Sequence, residues 1–364
     1  MSFIQPPNPN HRLVQPLPTP IELINRSYVQ ADDSLSSCPV CGGCLSTIVS
    51  YITGFFSWLL SFLPCSGSEK PQEDPVIDQR NAEVFDETYK FCHDEVQNQS
   101  PLGQQIKEAI DHTFYYAPTS KLTPKAASNS NTQFYISNGD RIGLAHSLAL
   151  PKQSGKGERV PLAQVLAGES ANISVLLLNP ADGKTPGGEK KGAKGYEATV
   201  CRRTALYPCL RGHFEDKPEH LSQGNCALLT TKVPILRYGS DRDYAFIPEE
   251  ERTTISIFSS AAPQYPALSE DNSSYADPGM RQQMKELIYR QFSAAFQGSS
   301  PYSALVLTAF GCDVGHPPKV IAELYKEVIK EYYPNIFPKI FFVLKPEQNK
   351  AFADVFDTAQ MISS

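Results

Sequence analysis

An α/β fold, with a mixed central sheet between helices, is predicted by three features of this 364-residue sequence. Residues 175–178 and 304–307 are continuous apolar runs, the pattern of strands covered on both faces. Each run feeds a glycine-containing loop. Each loop then opens into a helix-like segment, one expected to begin near Tyr196 and the other carrying apolar residues at Val320, Ile321, Leu324, Tyr325 and Ile329. Strand, loop and helix in that order present free N–H groups and the positive end of a helix dipole to an anion such as phosphate.

In chain order, residues 1–36 are polar and rich in proline, which suits an extended or disordered arm. No basic n-region followed by a short apolar core marks a signal peptide at Met1. Residues 37–66 form a cysteine-flanked hydrophobic unit, and within it residues 45–64 carry no charge. At the helical rise those residues span roughly 30 Å, enough for a bilayer core. Ser46, Ser50, Thr53, Ser57 and Ser61 would fall on one stripe of such a helix, opposite Ile, Phe, Trp and Leu. The stripe suits helix association in a membrane, an interfacial helix, or packing of the segment onto a globular domain. Residues 67–77 read as a linker, and residues 78–364 as one large domain.

Cysteines bracket the apolar segment. Cys38, Cys41 and Cys44 are spaced by two residues, and Cys65 lies beyond the run. Four metal ligands split by a long apolar helix fit zinc or iron–sulfur chemistry poorly. S-acylation next to a hydrophobic helix fits better and would strengthen membrane attachment. Cys92, Cys201, Cys209, Cys226 and Cys312 have no paired spacing and read as free thiols of a reducing compartment.

A net charge of −6 argues against a nucleic-acid partner, which needs a clustered basic surface. Lys184, Lys190, Lys191 and Lys194 do cluster in the first loop, either as a solvated surface or as an attractor of an acidic ligand. No Walker A, dinucleotide or G-x-S-x-G motif occurs, and the seven histidines form no metal-binding pair. No cofactor and no metal are expected.

The first loop, with Asn179 after the strand, then Pro186-Gly187-Gly188, Gly192-Ala193, Glu197 and Leu206-Tyr207, resembles the microbial-type poly(ADP-ribose) glycohydrolases, a macrodomain family. The second, Gly311-Cys312-Asp313-Val314-Gly315-His316-Pro317-Pro318, resembles that family's second phosphate loop. Residues 337–344, 233–237 and 254–263 resemble its other strands, and residues 80–92 its N-terminal helix. The resemblance implies a macrodomain-like mixed central sheet flanked by helices, here with an N-terminal helical extension. It also implies ADP-ribose as ligand. Asn179 would shape the first loop, Gly187 and Gly188 would line the distal ribose and diphosphate, and Gly311, Cys312, Val314 and Gly315 the diphosphate. His316 stands where the family has Asn and would donate to a phosphate or ribose oxygen. Val314 stands near the family's ring-stacking Phe and is too small to stack, leaving Phe310 or Tyr265 as substitutes. Asn138 to Asp140 form a candidate turn toward the adenine end.

The departures fall on the chemistry. The family's tandem glutamates become Glu197 and Ala198, so its acid is missing, and Glu189 and Asp313 replace loop glycines. Cleavage at a ribosyl carbon needs an acid for the leaving group or a carboxylate near the ring. Asp182, Glu189, Glu197 and Asp313 are the carboxylates in or beside the loops. The sequence is therefore expected to encode a hydrolase that removes ADP-ribose from a modified protein through a rearranged acid set, with little poly(ADP-ribose) cleavage. A membrane-anchored ADP-ribose reader without activity is the alternative. The departures also resemble effector-type macrodomains that intracellular bacteria direct at host ADP-ribosylated proteins. That likeness implies a secreted protein, and the apolar segment and unpaired cysteines suit one that is membrane-associated with its domain facing a reducing cytosol.

Overall fold

The computed structural model describes residues 75–116, 125, 131–150, 173–183, 185–188, 195–216, 227–296 and 302–362. The arm, the apolar segment with its four cysteines, Cys226, Glu189 and the loop lysines lie outside these residues. Among the described residues, no helix is long and apolar enough to cross a membrane.

Two helices open the domain, α1 (Pro75–Gln97) and α2 (Pro101–Asp111). The first encloses residues 80–92, where a helix is expected, and extends beyond them on both sides. Ser100 caps α2 by accepting from Gly103 N at 2.9 Å, and Pro101 occupies the first turn, where a missing N–H costs nothing. Then follow β1 (Thr113–Tyr116), β2 (Gln133–Ser137), α3 (Arg141–Ala149) and β3 (Val175–Pro180). The helix expected near Tyr196 is α4 (Gly195–Arg203), and α5 (Leu206–Asp216) follows it. Next come β4 (Ala227–Pro234), β5 (Thr254–Ser260), α6 (Pro278–Ala295) and β6 (Ala304–Leu307). The chain ends with α7 (Pro318–Tyr332), β7 (Lys339–Val343), α8 (Asn349–Val355) and β8 (Gln360–Ile362).

The strands form one sheet in the order β1-β4-β5-β3-β6-β7-β2-β8. β4 runs antiparallel to both β1 and β5, and the other pairings are parallel, so the sheet is mixed as expected. The strand expected over residues 233–237 instead ends at Pro234. A register shift lies between Thr230 and Val233, with Lys232 at φ 57°; pairing with β5 resumes at Val233 and stops at Pro234, and Ile235 and Arg237 make only isolated bridges.

Side chains alternate between two cores, one on each face of the sheet. Val175, Leu177, Ile257, Val306 and Phe341 pack with α1 to α5. Leu176, Leu178, Phe258, Leu305 and Phe342 pack with α6, α7 and α8. Burial on both faces explains why these strands read as unbroken apolar runs. Thr88 Oγ1 donates to Arg202 O at 2.7 Å, tying α1 to α4.

A close helix contact sets the position of α2. A Cβ on Gly103 would lie 2.0 Å from Glu95 O of α1, a backbone atom that cannot step aside. Gly103→Ala is therefore expected to part α1 from α2 and cost about 1–3 kcal/mol or more, read as a lower denaturation midpoint with unchanged m. A midpoint within error of the parent would show that the two helices do not need this approach.

Candidate functional site

The carboxyl ends of β5, β3, β6 and β7 line up on one edge of the sheet, and the residues after them wall a cleft of about 840 Å³. Open α/β sheets place ligands at this edge. The first turn of α4 closes one side, and the turn from Gly311 to Val314 closes another. Asn179 Oδ1, Ser260 Oγ and Thr308 Oγ1, at or just beyond the strand ends, are buried with no hydrogen-bond partner among the described residues. Buried polar atoms are normally satisfied, and of these three residues Thr308 lines the cleft.

Glu197 sits at the base of the cleft, 2 % exposed. Asn179 Nδ2 donates to its Oε1 at 3.2 Å, and Asp182 N donates to its Oε2 at 3.0 Å. The N–H of Gly187 donates to the carboxyl as well. Burial outweighs these donors and pushes the Glu197 carboxyl up to about 8, so it is mostly protonated at neutral pH. Asn179 also donates to Ser259 Oγ at 3.0 Å, which places the Glu197 and Asn179 pair on the β3–β5 side of the cleft. Ala198, where the resemblance puts the family's acid, is fully buried in the helix.

The other expected acids are placed differently. Asp182 lines the cleft, and its Oδ1 accepts from Thr185 N at 3.0 Å, bracing the loop. Asp313 is paired with Lys345 at the end of β7 and accepts from the Tyr196 hydroxyl. The charge that would oppose a diphosphate is thereby countered within the wall. Glu189 lies outside the described residues.

The glycines have separate roles. Gly188, at φ 87°, lines the cleft, and its N–H donates to Thr185 O at 3.0 Å. Gly187, at φ 81°, is buried below, where a Cβ would meet Phe85 Cζ and Tyr207 Cδ2 at 2.9 Å. Gly311, at φ 83°, leaves no room for a Cβ beside His316 Cδ2 at 2.7 Å. Val314 lines the cleft, while Cys312 is half-buried in the same turn and Gly315, at φ 98°, closes it.

His316 does not reach the ligand side. Its Nδ1 meets Tyr275 Oη at 2.6 Å, and its Nε2 meets Pro263 O at 2.7 Å. With both ring nitrogens engaged inside the protein, it buckles the second loop to the segment after β5 instead of donating to a phosphate. Phe310 is packed in the core and has no free face to stack. Asn138 donates to Leu344 O at 3.0 Å and pairs with Asn349, while Asp140 caps α3 and binds Arg203 Nη1 at 2.6 Å. These residues brace the sheet edge and are not part of the cleft wall.

Sequence reading missed Tyr196, Lys345 and Arg141. The Arg141 guanidinium stacks 4.1 Å from the centre of the Tyr196 ring and donates to Tyr196 O, fixing the first turn of α4. Burial lowers Arg141 to about 10, which still leaves it charged at neutral pH. Only the place of Tyr196 at a helix start and of Lys345 just beyond a strand could have flagged them.

Comparison with known proteins agrees with this geometry. Residues 83–237 match the model of the microbial-type PARG catalytic domain. The poly(ADP-ribose) glycohydrolase of Thermomonospora curvata superposes with a TM-score of 0.59 at 19% identity, over 76% of this chain and 100% of that chain. A structure of that glycohydrolase bound to the inhibitor ADP-HPD superposes with a TM-score of 0.55 at 18% identity, over the same shares. The Deinococcus radiodurans poly(ADP-ribose) glycohydrolase in complex with ADP-ribose gives 0.52 at 18% identity, over 70% of this chain and 97% of that chain. No curated protein matches the sequence. Residues 83–237 thus match the microbial-type PARG catalytic domain, in a chain whose described residues have the PARG-like fold.

Proposed function

We propose that the cleft binds ADP-ribose attached to a protein and that the chain hydrolyses the bond to the carrier, with Glu197 as the acid. The observation that carries this reading is a buried carboxyl at the cleft base, held by Asn179 and the backbone of Asp182, whose proton affinity burial raises. An acid poised near the working pH is what protonation of a leaving group requires. The glycine turns on either side suit a diphosphate. Asp313 serves as the counter-charge of Lys345, not as an acid, and Asp182 as a loop brace. Membrane attachment through residues 45–64, acylation of Cys38, Cys41, Cys44 and Cys65, and work as an effector inside a host cell are parts of the same proposal that rest on sequence alone.

A second reading, an ADP-ribose reader without activity, is favoured by one observation: three donors already hold the Glu197 carboxyl. Calorimetric titration of ADP-ribose into the full chain, beside release assays on mono-ADP-ribosylated arginine and glutamate peptides, separates the two. Binding with release is expected, and Glu197→Gln should lower the release rate by about 100-fold or more with little change in ADP-ribose affinity. Binding without release would establish the reader, and absence of binding would exclude both. Poly(ADP-ribose) chains should stay intact under the same conditions, since Ala198 has no proton to give; rapid chain shortening would overturn the acid assignment.

The sign of the pH effect follows from the raised carboxyl. The native state holds a proton that the unfolded chain releases near 4.5, so Glu197 favours folding most below that value. Its contribution falls as the pH rises and is lost on passing about 8. Melting of the parent should therefore drop between pH 5 and pH 9 by more than that of Glu197→Gln, and release should decline above pH ~8. Parallel melting curves for the two proteins would show that the carboxyl is not perturbed.

A further inference from the structure

Among the described residues, the charged side chains that line the cleft are Asp182, Glu197, Asp313 and Lys345. Three of them are acids, so Lys345 carries the positive charge of the described wall. Its place is set by three elements. It follows β7, it pairs with Asp313 in the turn after β6, and its Nζ lies 5.9 Å from the centre of the Tyr196 ring in the first turn of α4. The side chains of Lys345 and Asp313 are 48 % and 33 % exposed. Ion pairs this open to water hold weakly, so this one can part without unpacking the core.

The charges around Tyr196 do not pair off. Arg141 lies 4.1 Å from the ring centre and Lys345 lies beyond it, while the hydroxyl donates to Asp313. Asp140 is taken by Arg203 at 2.6 Å, which leaves Asp313 as the carboxylate between two cations. Arg141 is 5 % exposed, and its Nη1 has no hydrogen-bond partner among the described residues. Glu347, exposed and two residues along the chain, bears on Lys345 only through its charge. A further anion at this corner of the cleft is therefore favoured by cations already in place, whereas at Glu197 and Asp182 it would meet acids.

We infer that Lys345 is a binding residue for the diphosphate of the ligand, and that Asp313 is the competitor a phosphate oxygen displaces from its ammonium. This rests on the reading of the cleft as an ADP-ribose site. A phosphate offers Lys345 a full charge and several acceptor oxygens in place of one carboxylate, and lysine binds it as a point charge that needs no fixed approach. The same carboxylate then lowers affinity twice, by holding the ammonium when the cleft is empty and by facing the phosphate when it is filled. Asparagine at residue 313 would remove both effects and still offer an oxygen to Tyr196.

The test is calorimetric titration of ADP-ribose into the full-length parent, Lys345→Gln, Lys345→Arg and Asp313→Asn. Each is measured at about 0.1 M and about 1 M salt, between which the screening length falls from about 10 Å to about 3 Å. At the lower salt, Lys345→Gln should raise Kd about 10-fold, Lys345→Arg should stay within about 2-fold of the parent, and Asp313→Asn should lower Kd about 3-fold. Salt should weaken binding to the parent more than binding to Lys345→Gln. Asp313→Asn weakening the ligand as Lys345→Gln does would make the pair a brace of the wall, and an unchanged Kd in Lys345→Gln would take the ammonium off the ligand; each overturns the inference. Should Lys345→Gln fail to fold, Asp313→Asn decides alone, tighter binding upholding the inference and equal or weaker binding overturning it. A parent that binds ADP-ribose beside unresponsive variants removes this inference only, whereas a parent that does not bind removes the site reading and the inference with it.

Discussion

Burial of the Glu197 carboxyl is the constraint around which the cleft is arranged. The group lies where Asn179 leaves β3 and where α4 begins, and it accepts from Asn179, from the backbone of Asp182 and from the backbone of Gly187. One side chain therefore collects the donors of a loop that has to pass from a strand to a helix without regular structure. Removing water from a carboxyl raises its proton affinity, because the charged form loses far more solvation than the neutral one. The same burial that secures the loop thus creates a neutral acid at the cleft. Its hold on the loop and its raised proton affinity are consequences of one placement.

The second loop solves the opposite problem. An acid next to a diphosphate site is unfavourable, and in apolar surroundings the penalty grows. Asp313 meets this by pairing with Lys345 and accepting from Tyr196, which joins the turn after β6 to the end of β7 and to the start of α4. Arg141 then holds Tyr196 from below through its ring and its carbonyl. On the other flank, His316 and the Tyr265 N–H fasten the same turn to the segment after β5. The turn is braced on both sides, so its N–H groups can keep a fixed direction without a ligand to order them.

The sheet was legible in the sequence because its central strands are buried on both faces: 175–178 and 304–307 could hardly be anything else. The glycines at 187, 188, 311 and 315 were equally readable, since each takes a positive φ at a loop turn. What sequence could not supply was direction. His316 occupies a motif position that suggests a ligand contact, yet a tyrosine 41 residues away and a carbonyl 53 residues away claim both nitrogens. Phe310 shares the motif and turns into the core. Lys345 and Arg141 belong to no motif and meet Tyr196 only because strand order brings β7 and α3 to the same edge. Pairings across such separations are set by topology, not by local pattern.

The substitutions within the family motifs can be ordered by what they do to charge. Replacing the second glutamate by Ala198 removes a carboxyl from α4 and leaves Glu197 without a like charge on the next residue. A neighbouring carboxylate would couple to it, and the pair would share a proton between two macroscopic steps. With alanine there, burial outweighs the three donors to Glu197, the charge of Asp182 adds to it, and the proton stays to higher pH than a carboxyl in water would hold it. Asp313, gained on the facing turn, is spent on Lys345. Among the described residues, the balance at the cleft is therefore one neutral acid near β3 and β5 and one compensated ion pair near β7. That polarity gives the cleft distinct ends, a buried carboxyl near β3 and β5 and an ion pair near β7.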